Sequence, residues 1–314
     1  MLTRRHIRVK VLQSIYAYNQ SEIKNLEKQE KFLLYNMEQM QDLYLVMLQL
    51  MLALRDQAEN FLNLSQKKHL ATDLEKNPSK VFIENKVIEL IASNEIFSDI
   101  IKNRKLNYWE VDSEYIAILF NSLKENDWYS EFLNQKATNF NEDKDFLIKV
   151  FKNVIAPNDK LYEYIEDRRL TWVDDFPLVN TLIVKMLSKI SEKNIDAILI
   201  PDLYKNKEDR DYAIDLMQKV ILNDEELTII IDEKTPNWDK ERIADIDMII
   251  LKMGISEFLY FPSIPVRATI NEYLEVSKEY STPKSSLFIN GILDKIVKEF
   301  SNSKKINKTG RGLK

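Results

Sequence analysis

The chain has no cysteine and only two histidines, His6 and His69. That excludes disulfides, thiol catalysis and the usual structural zinc sites, and no histidine cluster stands in for them. Glycine is almost as scarce, four in 314 residues, where average usage would be about 7%. Gly310 and Gly312 fall in a polar tail, so only Gly254 and Gly291 serve the body of the chain. Phosphate loops of the GxGxxG or Walker type need clustered glycines for close backbone approach. A methyl-donor site needs a glycine-rich loop on an α/β sheet. None of these is readable, so we expect neither an enzyme nor a bound cofactor or metal. Scarce turn glycines also count against an all-β fold. Long hydrophobic runs are missing as well: the most apolar, Leu43–Leu54, is interrupted by Gln49 and falls short of the ~20 residues that span a bilayer. The first apolar stretch is broken by Gln13, Ser14 and Asn19, unlike an export signal. A cytoplasmic protein with no membrane segment is expected.

What the chain does have is an uneven distribution of charge. The net charge is -5. Residues 1–20 carry Arg4, Arg5, Arg8 and Lys10 without an acid (+4), residues 301–314 carry five cations without an acid (+5), and the remainder therefore carries -14. Basic ends on an acidic body suit local binding of an anionic polymer. The C-terminal stretch by itself reads most simply as a frayed, solvated tail.

Helical periodicity runs through the sequence. Residues 3–19 form an amphipathic pattern, with Thr3 as a cap and Ile7, Val11, Ile15 and Tyr18 on one seam. Three arginines in the first turns oppose the helix dipole, a bias of ~0.3–1 kcal/mol per charge, unless an anion binds there. Residues 22–64 read as one long or two shorter helices whose methionine-rich stripe is core. Residues 65–80 read as a connector containing Pro78. Between 81 and 137 lie further amphipathic segments, with Trp109 and Trp128 as packing anchors. Residues 143–172 then align with 209–238 without a gap at an offset of 66. Identical pairs include Asp143/Asp209, Ile148/Ile214, Val154/Val220, Leu161/Leu227, Ile165/Ile231 and Trp172/Trp238, and Phe146/Tyr212 is conservative. Each copy is a helical hairpin followed by a tryptophan, and such hairpins usually stack to share a core. Three more helical patterns follow, the last of them SSLFINGILDKIVKEF, with Gly291 in its middle at a cost of ~1 kcal/mol against alanine. Close helix contact, or approach of another molecule to the backbone, would account for that glycine.

Several of these motifs carry a resemblance. The opening RRHIRVKVLQSIYAY, then NW-x-x-ERIADID-x-x-ILKMGISEF, INE-x-LEVSK and LFINGILDKI resemble, in order and spacing, the NusB family of transcription antitermination factors. The Phe288–Asp294 segment is similar to that family's Phe-[Val/Ile]-Asn-Gly-[Val/Ile]-Leu-Asp signature. The resemblance covers residues 1–20 and 205–300, around a third of the chain, and leaves 21–204 as a helical insertion and 301–314 as a basic flexible tail. It implies an all-α bundle without catalysis, binding of boxA-type single-stranded RNA in ribosomal RNA transcripts, and pairing with the ribosomal protein NusE within the RNA polymerase antitermination complex. By position it implies that Arg4, Arg5 and Arg8 face phosphates, that Gln13 and Tyr16 lie beside the RNA, and that Phe288 offers an aromatic face to a base. It also implies that Asp247 lies on a partner-facing side. Two positions depart from the pattern. Leu287 stands where the family is often basic, a loss that Lys284 one turn away would replace, and Tyr273 stands where a small residue is usual. Without the resemblance, Phe288 reads as core, because Ile292 and Ile296 follow on its face. The competing reading is a helical protein–protein adaptor that has lost direct RNA binding, motivated by the acidic body and the long insertion.

Overall fold

The computed structural model describes residues 1–69, 72, 76–236 and 243–313. Trp238 of the repeat and the residues 237–242 that open the NW-x-x-ERIADID motif lie outside the described residues. All regular structure among the described residues is helical. In chain order the helices are α1 (Arg4–Gln20), α2 (Leu26–Gln66), α3 (Lys86–Ala92), α4 (Glu95–Arg104), α5 (Tyr108–Val111), α6 (Ser113–Lys124), α7 (Asp127–Leu133) and α8 (Phe140–Val150). They continue with α9 (Asp159–Arg168), α10 (Phe176–Lys189), α11 (Ile195–Ile198), α12 (Lys207–Leu222), α13 (Asp224–Lys234), α14 (Asp245–Tyr260), α15 (Val266–Tyr280) and α16 (Ser285–Asn302). No helix among the described residues is long and apolar enough to cross a membrane.

The chain divides into two compact units. Unit 1 comprises Met1–Met37 and Leu203–Lys314, and unit 2 comprises Glu38–Asp202. The first boundary differs from the expected residue 20 because the pattern over 22–64 is one 41-residue helix, α2, with the division inside it. From Leu43 to Leu48 every residue of α2 is buried, the mark of a helix surrounded on all sides, and Phe32, expected in the methionine stripe, is exposed instead.

In unit 2 the core is aromatic. Phe146 stacks on Phe132 at 3.6 Å and meets Phe82 edge-on at 5.5 Å. The indole N–H groups of Trp109 and Trp172 donate to the carbonyls of Val46 and Gln39, so these large rings are buried without leaving a polar atom unsatisfied.

The two aligned hairpins, α8 with the π-turn Phe151–Ile155 and α9, and α12 with α13, bury the same register. Asp143/Asp209, Phe146/Tyr212, Val154/Val220, Leu161/Leu227 and Ile165/Ile231 are buried in both members of each pair. In each unit the following helix, α10 or α14, packs back on the first helix of the hairpin, and an earlier helix, α3 or α1, packs there too. The paired aspartates even share a task. Asp143 accepts the Lys86 backbone N–H at the start of α3 (2.9 Å), and Asp209 accepts from Arg4 in the first turn of α1 (2.8 Å).

Glycine behaves differently at its two body positions. A Cβ at Gly254 would sit 3.1 Å from a Leu293 methyl, so this glycine permits α14 and α16 to approach closely. At Gly291 a Cβ would meet nothing within 4 Å. Close helix contact therefore does not account for Gly291.

Candidate nucleic-acid interface

The site belongs to unit 1 and is built on α1. Thr3 caps the helix with extended backbone, and its hydroxyl lies 2.9 Å from His6 Nδ1, which in turn accepts the Thr3 N–H at 3.2 Å. Burial, reinforced by the charges of Arg5 and Lys10, lowers the His6 imidazole to about 4. The ring is thus neutral at pH 7 and free to accept. Beyond the cap the arginines fan out in different directions, because successive helical residues turn about 100° from one another.

All three arginines meet carboxylates. Arg4 bonds Asp209 and lies 4.3 Å over the Tyr212 ring. Arg5, partly exposed, makes a bidentate pair with Glu272 at 3.0 and 3.1 Å. That hydrogen bond is the chief cause of a raised Arg5 pKa. Arg8, expected to face phosphates, is buried at 3% exposure against a Glu257 that is fully buried, through bonds of 2.7 and 3.0 Å. Glu257 also accepts from the hydroxyls of Thr269 (2.8 Å), Tyr273 (2.8 Å) and Tyr212. Burial alone would raise the Glu257 carboxyl. The Arg8 charge and these hydrogen bonds outweigh it and hold the group below its ordinary value. Burial and the Glu257 charge push both tyrosine hydroxyls well up, so they remain donors. A buried pair with every lone pair used tolerates no half-measure: removing one partner of such a pair costs ~3–5 kcal/mol.

This network explains Tyr273. A small residue there would leave Glu257 one donor short, and the tyrosine is fully buried with its hydroxyl on the carboxylate. Asp209 and Tyr212 stand out in the sequence only as repeat positions, and Glu257 and Glu272 only within motifs of the family resemblance; none could be assigned to the site. Each is one acid or tyrosine among many on amphipathic helices, and its partner is a remote arginine.

In front of α1 lies a groove of about 1270 Å³ lined by Arg4, Arg5, His6 and Arg8 on one side and by Lys205, Asp209, Ser263, Pro265 and Glu272 on the others. Lys205 is exposed. Arg267, exposed in the first turn of α15, is the neighbour of the lining residue Ala268. The groove is therefore a mixed surface in which the guanidinium groups are aimed by carboxylates.

The remaining expected residues lie elsewhere. Gln13 is half-buried and Tyr16 is 40% exposed, both farther along α1; eleven residues of helix separate Tyr16 from Arg5, a rise of ~16 Å. Lys284 is exposed at the start of α16, Phe288 is half-buried on that helix, and neither lines the groove. Helix α16 packs on α13, α14 and α15, while α1 packs on α12, α14 and α15, so the two groups of residues are linked through shared helices. Leu287 is 78% exposed. Asp247, expected on a partner-facing side, is buried, and its two oxygens accept from Ser281 (2.5 Å) and Ser285 (2.6 Å) at the head of α16.

The family model and the sequence relatives agree on one family. The NusB family model matches residues 179–298, a span that runs from within α10 into α16. The chain is 36% identical over 123 residues to the transcription antitermination protein NusB of Salinibacter ruber, covering 39% of this chain and 77% of that protein. It is 39% identical over 98 residues to the protein of the same name from Finegoldia magna, covering 31% of this chain and 72% of the relative. For Chloroherpeton thalassium the figures are 34% over 122 residues, 39% of this chain and 58% of the relative. Among solved structures, T. maritima NusB is 27% identical, covering 40% of this chain and 87% of the other at a TM-score of 0.31. With more than a third of positions identical across three quarters of a relative, the chain belongs to the NusB family.

Proposed function

We propose that the chain is a non-catalytic, RNA-binding transcription antitermination factor that takes boxA-type single-stranded RNA of ribosomal RNA transcripts together with NusE, in the cytoplasm. The observation that carries this reading is the arginine-lined groove at the head of α1 in a chain whose relatives bear the name transcription antitermination protein. A single strand needs a cationic track and aromatic faces on which bases stack, each stack being worth ~1–3 kcal/mol. In this reading Arg4, Arg5 and Lys205 meet phosphates in the groove. Arg8 acts through Glu257 by fixing the pitch of α1. Gln13, Tyr16, Lys284 and Phe288 extend the strand's path over α1 and α16, and Asp247 holds the head of α16 that carries Lys284.

The test is fluorescence anisotropy of the full chain on a short boxA-like RNA and a scrambled control, with and without NusE, across a salt series. Selective, salt-sensitive binding strengthened by NusE is expected, and substitution of Arg4 and Arg5 together by Gln should flatten the log–log salt dependence by ~0.7 for each lost contact. Equal, weak binding of both RNAs would remove this reading. The second reading, a protein–protein adaptor, is favoured by the charge of unit 2, where 20 Lys and Arg face 28 Asp and Glu, net -8.

A further inference from the structure

The C-terminal residues look like a frayed end in the sequence, but the structure gives them a definite path. Helix α16 finishes with Lys304 in the left-handed region (φ 55°) and the Lys305 N–H returned to the Phe300 carbonyl at 2.9 Å, which turns the chain sharply at the helix end. The segment then meets the end of α14. The Lys308 ammonium donates to the carbonyls of Glu257 (2.9 Å) and Phe261 (3.0 Å), and the Thr309 N–H donates to the Pro262 carbonyl at 3.0 Å. The last carbonyls of a helix lack intrahelical donors and form the negative end of its dipole, so a lysine there acts as a cap.

Two of the chain's four glycines serve this seat. Gly310 has φ +53°, in the left-handed region, and a Cβ at Gly312 would lie 1.9 Å from the Pro262 carbonyl oxygen, which no side chain can accommodate without displacement. A solvated end would require neither glycine. Burial lowers the Lys308 ammonium to about 8, in keeping with a side chain drawn against protein.

The seat adjoins the groove. Ser263, Ile264 and Pro265, directly after the Pro262 that holds Thr309, are groove wall. Glu257, whose carbonyl takes Lys308, is the residue whose carboxylate takes Arg8. Lys305 is three residues from the anchored Lys308, so the chain keeps it within ~11 Å of that anchor. Lys304 and Lys305 are exposed, and among the described residues neither has an acidic partner, whereas Arg4, Arg5 and Arg8 are each engaged by a carboxylate. Lys305 also lies 5.3 Å over the Phe300 ring, so a phosphate that meets Lys304 or Lys305 breaks no ion pair.

We propose that the segment Lys304–Leu313 is a docked second cationic element of the RNA surface of unit 1, which extends the track beyond the α1 groove and supplies phosphate contacts through Lys304 and Lys305. This rests on the RNA-binding reading above. Docking makes the contribution geometric as well as electrostatic: cations held in place lose less freedom when the strand arrives than cations on a loose tail.

The experiment uses the full chain and three variants, K304Q/K305Q, Gly312→Ala and R4Q/R5Q, on a short fluorescein-labelled single-stranded RNA over a salt series. Trypsin cleavage after Lys308 reports whether the segment is seated. K304Q/K305Q should keep Lys308 protected and make the log–log salt slope shallower by about 1.4, two contacts at ~0.7 each. Gly312→Ala, with every charge retained, should speed cleavage after Lys308 and weaken RNA binding several-fold. Wild-type slope and affinity in K304Q/K305Q, beside weakened binding in R4Q/R5Q, overturns the tail's role and leaves the groove standing. A shallower slope in K304Q/K305Q with unchanged affinity in Gly312→Ala overturns docking. No binding by the unaltered chain removes the RNA reading and this inference together.

Discussion

The two hairpins of this chain bury the same register under two electrostatic plans. In unit 2 Asp143 takes a backbone N–H of α3, Phe146 stacks among phenylalanines, and the buried face of α10 is Phe176, Val179, Ile183, Met186 and Leu187. In unit 1 Asp209 takes an arginine, the tyrosine at the Phe146 position lends its hydroxyl to Glu257, and α14 buries Asp247, Lys252 and Glu257. Net charge follows, with 25 cations against 22 acids (+3) in unit 1 and -8 in unit 2. The backbone arrangement, then, does not dictate the chemistry. In unit 1 the Glu257 carboxylate, with the hydroxyls of Tyr212, Thr269 and Tyr273, makes a seat for Arg8 where unit 2 has an apolar and aromatic seam.

The comparison breaks most severely at Arg8. Arg8→Leu leaves the Glu257 carboxylate buried without its cation and should cost ~3–5 kcal/mol, read as a lowered urea midpoint; an unchanged midpoint would show that the pair is not the support of α1 described here. Exchanging the chemistry between the hairpins sharpens the point. Tyr212→Phe removes one donor from Glu257, and Phe146→Tyr places a hydroxyl in an aromatic core, each for ~1–3 kcal/mol. If either exchange proves neutral in denaturation, the two plans are interchangeable after all.

A smaller effect lies in the cap. The folded-state value of His6 is depressed, so between pH 6.5 and about 4 the unfolded chain binds the extra proton. Stability should therefore fall as pH drops through that window and level off below it. Arg5, Lys10 and the N-terminus disfavour the charged ring, and Glu272 favours it. Thr3→Ala should lower the urea midpoint by the equivalent of ~1 kcal/mol and keep that pH dependence, since burial is the first cause of the His6 depression and the Thr3 backbone N–H remains; an unchanged midpoint would contradict the cap. The smallest change in stability belongs to Glu272→Gln, about 1 kcal/mol, since its pair with Arg5 is partly exposed and its contact with the buried Arg8 is a long one at 3.7 Å. It frees Arg5 and should tighten RNA binding and steepen its salt slope. Weaker binding would mean that Glu272 aims Arg5 usefully.

Much of the fold was legible because helix formation is periodic and local. The seam Ile7, Val11 and Ile15 is buried as its spacing requires, Thr3 caps α1, and the ungapped alignment of 143–172 with 209–238 anticipated a common buried register. Less of the site was legible. Arg4, Arg5 and Arg8 stand out as a motif, but whether an arginine faces solvent or a buried carboxylate depends on what another helix brings to it. Arg8 and Glu257 are 249 residues apart, and no local pattern joins them. The tail misled for a related reason. Five cations without an acid look solvated until Pro262 and the end of α14 are seen to receive Lys308, Thr309 and Gly312.

The sequence by itself determined the helical class, the family, the doubled hairpin and the basic ends, all of them consequences of residue type and spacing along one chain. Only the tertiary structure decided which cations are consumed inside the protein and which remain for a ligand. That choice rests on burial and on partners distant in sequence, where a charge withdrawn from water persists only if another element satisfies it.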